Sequence, residues 1–385
     1  MKPSITVLAA ALAVVAAPRA GAAEERTAAA PLEQVDVFVA GQDGYHTYRI
    51  PSLLVTAKGA LLAFCEGRKT GRGDSGDIDL VLKRSTDGGT TWLPMQIVAD
   101  DGPNTVGNPC PVVDRSTGTI WLPLTHNLGE DNEAQIKSRT AKGTRTVWMS
   151  RSTDDGATWA KPVEITAATK AEDWTWYATG PGCGIQLRSG RLLIPCDHAV
   201  AETKMYRSHA IYSDDGGAAW KLGGTIGDKV NECQVVELAD GTLLMNMRSY
   251  AGKNCRRVST SRDGGITWTP AADEPALAEP VCQAALIRFA DPRDPSRALL
   301  AFSNPASTKR EKMTARLSPD EGKSWPAAGV IWPGPAAYSA LAALPDKRLA
   351  CLYERGDKSA YEKITLARFT VDWVLAQPRA AEAAK

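Results

Sequence analysis

The chain has 385 residues, 43% of them hydrophobic, with 45 Lys and Arg against 44 Asp and Glu. That is enough apolar material for a large buried core, and a net charge of +1 gives no general attraction to nucleic acid or an anionic membrane. Anion binding would therefore need a local cluster of cations.

At the N-terminus, Lys2 precedes an almost wholly apolar run over residues 5–17, and small residues follow at Ala20, Gly21 and Ala22. This pattern predicts a cleaved signal peptide over 1–22. The run is short for a membrane span, and no later stretch reaches the ~18–20 apolar residues that a span requires. An uncleaved anchor is the alternative. The expected mature protein begins near Ala23, is exported to the periplasm or the exterior, and starts with a linker over 23–34.

Downstream, one pattern recurs five times: Ser-x-Asp-x-Gly-x-x-Trp. Its copies start at Ser85, Ser152, Ser213, Ser261 and Ser318 and end at Trp92, Trp159, Trp220, Trp268 and Trp325. Asp accepts backbone N–H bonds in turns and Gly supplies positive φ, so each copy reads as a β-hairpin turn. The Trp is expected to anchor the returning strand in the core. Alternating residues over 79–84 and 146–151 read as the strands that enter the first two turns. From Ser85 to Ser318 the four intervals average about 58 residues, the size of a four-stranded propeller blade with its loops.

Hence the expected fold is all-β: a six-bladed β-propeller with Asp-box hairpins, forming one domain over 35–378. A sixth blade without a box follows Trp325, with strands over 337–344 and 348–353, closed by an N-terminal strand over 35–40. Helix signals are weak apart from an Ala-rich C-terminal tail over 379–385. Eight cysteines are spread without any C-x-x-C or zinc-ligand spacing. Most lie in apolar runs and read as buried free thiols, although export would permit a bridge or two.

The boxes specify architecture and contain no nucleophile, acid or metal cage. Other short motifs carry little. Arg72-Gly73-Asp74 is a common tripeptide, and Gly73-Asp74-Ser75-Gly76 has no second motif to position a histidine. The four histidines, His46, His126, His198 and His209, have no metal spacing. The Gly-rich boxes end in Trp, unlike phosphate loops. No metal or organic cofactor is expected.

Tyr48-Arg49-Ile50-Pro51 followed by Asp-boxes resembles the exo-α-sialidases (neuraminidases), over nearly all of the mature chain. The resemblance implies a site for sialic acid, whose carboxylate calls for arginines able to grip it bidentately. Motif matching gives three: Arg49, Arg248 in Asn246-Met247-Arg248-Ser249-Tyr250, and Arg310 in Thr308-Lys309-Arg310-Glu311. Glu354 resembles the carboxylate that orients the first of them. Tyr338, in Gly334-Pro335-Ala336-Ala337-Tyr338, matches the family's nucleophile, and Glu232 matches its base. The family often has an acid two places after the tyrosine, where this chain has Ala340. Asp74, in a Gly-rich loop soon after Arg68, resembles the acid/base, with Asp77 and Asp79 as alternatives.

Arg68 and Asn108 resemble substrate contacts near the 4-hydroxyl and the N-acyl group. Glu133, Tyr177 and the Gly180-Pro181-Gly182 turn are further pocket candidates. The implied activity is retaining hydrolysis of terminal sialic acid from glycoproteins, glycolipids or oligosaccharides. Alternatives are a hydrolase or transferase for another 2-keto-3-deoxy sugar acid, and a catalytically silent glycan-binding propeller.

Overall fold

The computed structural model describes residues 1, 3–4 and 31–377. The predicted leader (save those first residues), most of the linker and the tail over 379–385 lie outside the described residues. Strands dominate, and the three helices among the described residues are short: Glu133–Ser138, Thr166–Thr169 and Val371–Ala376. None is long and apolar enough to cross a membrane.

The strands pair as six successive antiparallel meanders. The first runs through Thr47–Val55, Leu61–Arg68, Ile78–Ser85 and Gln96–Ala99. In the second, Thr105–Gly107 and Val112–Val113 pair with Ile120–Asn127, followed by Thr146–Ser152 and Val163–Glu164. The third comprises Trp174–Thr179, Leu192–Val200, Tyr206–Ser213 and Lys221–Ile226, with Ile185–Gln186 beside its second strand. The fourth is Val230–Glu237, Leu243–Ser249, Cys255–Ser261 and Ala272–Ala278.

Ala327–Ala343 belongs to two meanders. Its first part pairs with Glu311–Ser318 and completes the fifth, after Ala285–Asp291 and Asp294–Pro305. From Ala336 it pairs with Leu349–Arg355 and begins the sixth, which continues through Lys363–Phe369. The outermost strand of the sixth is the N-terminal Glu33–Val39, antiparallel to Lys363–Phe369. This strand begins two residues before the expected boundary at Val35.

Apolar side chains fill the space between neighbouring meanders. Leu62 and Phe64 of the first pack with Ile120 and Leu122 of the second, and Leu193 of the third with Val235 and Met245 of the fourth. Leu352 and Leu366 of the sixth pack with Leu61 and Val81 of the first. Each such fully buried side chain contributes about 1.5–3 kcal/mol relative to exposure.

In every box the Ser hydroxyl donates to the Asp carboxylate at 2.7–2.8 Å and accepts the Gly N–H at 2.8–2.9 Å. The box lies at the end of its meander's third strand, and its glycine touches the preceding meander. A Cβ on Gly217 (φ +96°) would meet the Trp121 ring, and one on Gly89 would meet Leu366 of the sixth meander. All five box tryptophans pack in or against the apolar clusters, as expected, but to different depths. Trp220 is buried, but Trp92, Trp159, Trp268 and Trp325 are only half-buried, because the box sits at the outer margin of the core. All eight cysteines are free, seven of them buried and Cys183 half-buried.

Candidate active site

Four strands break their pairing register where they reach one pocket. The irregularities fall between Arg49 and Ser52, Trp174 and Tyr177, Val230 and Cys233, and Ala336 and Ser339. A bulge re-aims side chains that strict alternation would send to opposite faces. Asn231 and Glu232, although consecutive, accordingly both line the pocket, as do Arg49 and Ile50. Ile50 has φ +60°, an uncommon conformation for a β-branched residue.

Tyr338 is at the centre. Its hydroxyl donates to Glu232 Oε1 at 2.6 Å. Arg248 Nη1 donates to Glu232 Oε2 at 2.7 Å and to the Tyr338 oxygen at 3.1 Å. The guanidinium carbons of Arg49 and Arg310 lie 5.1 and 5.6 Å from the centre of the same ring. Burial first, then the Glu232 carboxylate, push the Tyr338 phenol well above its ordinary pKa, against the opposing pull of Arg248 and Arg49. The resting group is therefore a phenol hydrogen-bonded to its acceptor.

Glu354 is fully buried and holds three groups in place. Its carboxylate accepts from Arg49 Nε at 2.8 Å, from the Ile50 amide at 2.9 Å and from the Tyr338 amide at 3.1 Å. Arg310 donates to the Tyr361 hydroxyl at 2.7 Å, and Arg49 lies over the Tyr361 ring at 4.4 Å. The three arginines thus come from the first, fourth and fifth meanders.

Of the three candidate aspartates, the pocket receives Asp74. Its side chain is 63% exposed and lies 2.8 Å from Arg68 Nη1 and 3.8 Å from Arg49 Nη1. Burial would raise its pKa, but Arg68 and Arg49 together hold it below the ordinary carboxylate value. Asp79 is fully buried elsewhere, accepting from the Tyr45 hydroxyl at 2.6 Å, and Asp77 and Asp79 share Lys69. Arg68 is fixed by Glu66 at 2.6 Å. Glu66 also accepts the Asn108 amide at 3.0 Å, and Asn108 lines the pocket.

Glu133 lines the pocket too, its carboxyl pushed up by burial. Tyr177 does not. Trp176 and Ala178, two apart on Trp174–Thr179, face the pocket, while the bulge lets the Tyr177 ring pack in the core with Trp174, three residues before it, and against His209. The Gly180-Pro181-Gly182 turn is also absent from the lining; the Pro181 carbonyl accepts from Gln234 and Gln283.

Motif matching missed Arg145, Asp197, Tyr206, Asn231 and Tyr250, all of which line the pocket. Arg145 donates to Asn127 at 2.8 Å and lies over the Trp176 ring at 4.0 Å. Asp197 accepts from Asn231 at 2.6 Å, and burial raises its pKa well above the usual range. A signal existed in the repeat: Arg145, Tyr206 and Arg310 stand at or just before the third strands Thr146–Ser152, Tyr206–Ser213 and Glu311–Ser318. Arg145 and Tyr206 each stand seven residues before their box serine, and Arg310 eight before its own.

Chemically, the arrangement offers three guanidinium groups around Tyr338 with those of Arg68 and Arg145 beyond them, a phenol with a carboxylate to take its proton, and a carboxyl group at the rim. Residues 59–351 match the family model described as a BNR repeat-like domain. The chain is 36% identical over 351 residues to a sialidase of Micromonospora viridifaciens, covering 86% of this chain and 53% of that protein. It therefore spans about half the length of that relative. An exo-alpha-sialidase of Arthroderma benhamiae is 31% identical over 367 residues, which cover 87% of this chain and 86% of the relative. Among solved structures, the Hadza microbial sialidase Hz136 matches with a TM-score of 0.82 at 33% identity, over 89% of this chain and 69% of that one.

Proposed function

The chain belongs to the sialidase family of BNR-repeat proteins, and from that premise we propose that it is an exo-α-sialidase. It would release terminal sialic acid from glycoproteins, glycolipids or oligosaccharides with retention of configuration. The observation that carries this reading is the Tyr338–Glu232 hydrogen bond of 2.6 Å beneath the guanidinium groups of Arg49, Arg248 and Arg310.

Sialic acid bears its carboxylate on the anomeric carbon. A carboxylate nucleophile 4 Å away would add about 1–4 kcal/mol of repulsion in screened surroundings, whereas a phenol adds none until it loses its proton. The three arginines bind the substrate carboxylate. Tyr338 passes its proton to Glu232 as its oxygen attacks the anomeric carbon, while Arg248 stabilises the developing phenolate. Asp74 gives a proton to the departing glycosidic oxygen. The glycosyl–Tyr338 bond is then broken by water, from which Asp74 takes a proton, and Glu232 returns its proton to Tyr338. Two displacements at one carbon restore the original configuration.

Asp74 is poised for this exchange by its neighbours. In the free site Arg49 and Arg68 hold it ionised. A bound carboxylate offsets the charge of Arg49, which raises the Asp74 pKa and lets it take up the proton it later donates.

The fold proposed for this function is a closed six-bladed β-propeller over residues 33–378, reached through a linker that ends at 32 after removal of an export signal over 1–22. Closure is supported by Glu33–Val39 completing the last meander and by the apolar layer joining that meander to the first. Export rests on the N-terminal sequence pattern alone.

The test is release from a fluorogenic α-sialoside by the wild-type protein and by Arg49→Ala, with the first-formed sugar followed by NMR. The expected results are release by the wild type, its loss in Arg49→Ala, and initial appearance of the α-anomer. A folded wild type that releases nothing, or a first-formed β-anomer, would sink the corresponding part of the proposal.

A further inference from the structure

A second concavity adjoins the pocket and shares Asp74 and Glu133 with it. Its walls are the Gly73–Ser75 loop, one face of the helix Glu133–Ser138, and Lys204. Geometry assigns this groove a role under the sialidase reading, on which the inference rests. The group that protonates the leaving oxygen must face that oxygen. A leaving sugar therefore departs past Asp74, and the concavity beyond Asp74 is this groove.

Its charges are of both signs, with Asp74 and Glu133 on the side shared with the pocket and Lys137 and Lys204 beyond them. Of the cations around it, Lys142 pairs with Glu130 at 2.8 Å and Arg207 with Asp228 at 2.6 Å. Among the described residues, Lys137 and Lys204 have no carboxylate within ion-pair distance, and both line the groove. The Lys137 ammonium sits 3.7 Å from the centre of the Tyr206 ring. Tyr206 in turn stacks on Tyr250 of the pocket at 5.2 Å, so one end of the cationic pair is fixed relative to the scissile bond. Burial holds Lys137 below the ordinary lysine value, against the opposing pull of Glu133 and Asp197 and with a smaller push from Lys204. A partly desolvated cation beside a second cation gains from an incoming anion. Ser75 on the same wall supplies a hydroxyl group for a sugar.

We propose that this groove is the subsite for the leaving sugar and that Lys137 and Lys204 select a leaving sugar that carries a carboxylate. The substrate class it fits is a pair of α2,8-linked sialic acids, in which the sugar next to the cleaved one is itself an acid.

The experiment compares initial rates on α2,8-disialyllactose and 3′-sialyllactose for the wild type, the double variant Lys137→Ala/Lys204→Ala, and Lys137→Arg/Lys204→Arg. The quantity read is the ratio of kcat/KM for the two substrates. The alanine pair should lower that ratio about fivefold, equivalent to ~1 kcal/mol at the upper end for an exposed ion pair, and the arginine pair should keep it. An unchanged ratio, or equal loss on both substrates, overturns the subsite. If the wild type cleaves neither substrate, the sialidase reading itself fails and the subsite falls with it.

Discussion

Tyr338 donates its hydroxyl proton to Glu232 across 2.6 Å, although 106 residues separate the two in the chain. The phenol comes from the sixth meander and the carboxylate from the fourth, each presented by a bulge. Proposed as nucleophile and base, they form one unit. Tyr338→Phe and Glu232→Gln should each lower kcat on 3′-sialyllactose by at least about 10²–10³-fold, and the double variant should cost little more than either alone. Steady-state kinetics with circular dichroism as the folding control check this. Additive losses would show that the two act separately.

Glu354 serves the site from beneath. Because its buried carboxylate holds Arg49 and two backbone amides, Glu354→Gln would leave the Arg49 guanidinium without its closest counter-charge. Stability should fall by about 3–5 kcal/mol, the usual consequence of removing one partner of a buried pair. KM for a sialoside should rise at the same time. Urea denaturation and kinetics on the same preparation give both readings.

A pair of histidines makes the fold sensitive to acid. His198 and His209 are fully buried with their Nδ1 atoms 3.0 Å apart. Burial depresses both, His209 to about 3 and His198 further. The unfolded chain takes up these protons near pH 6.5 and the folded chain does not, so their contribution is complete above about pH 6.5 and shrinks as pH falls. The slope should approach ~1.4 kcal/mol per pH unit for each histidine. Denaturation midpoints at pH 7, 6 and 5 should decline, and His209→Asn should flatten the decline. Parallel slopes for wild type and variant would exclude the pair as its source.

The box glycines make a structural prediction. At Gly217 the backbone has φ +96°, and a Cβ would stand 2.1 Å from the Trp121 ring. Gly217→Ala should destabilise the protein by about 2–4 kcal/mol, through left-handed backbone strain and overpacking between the second and third meanders. By contrast, Gly227→Ala meets no atom within 4 Å and should leave the unfolding midpoint nearly unchanged. Equal midpoints for the two variants would contradict this packing account.

The sequence by itself determined the repeating unit. The serine, aspartate and glycine of each box form the same local hydrogen bonds in all five copies, so their meaning does not depend on distant residues. It also marked Arg49, Asp74, Glu232, Arg248, Arg310 and Tyr338, because each lies in a short motif legible without neighbours. Only the tertiary structure decided which residues complete the pocket. Strand alternation puts Trp176 and Ala178 on one face and Tyr177 on the other, and only the packing of the meanders decided which face meets the pocket. Arg145 and Asp197 lie in no recognised motif, and the second and third meanders bring them to the pocket, one just before Thr146–Ser152 and the other within Leu192–Val200. Glu354 shows the division most clearly. Its likeness to an arginine-orienting carboxylate was legible, but its simultaneous hold on Ile50 and Tyr338 exists only where the first and sixth meanders meet. Local turn chemistry is written within about eight residues. A pocket assembled from separate meanders depends on how their strands pack.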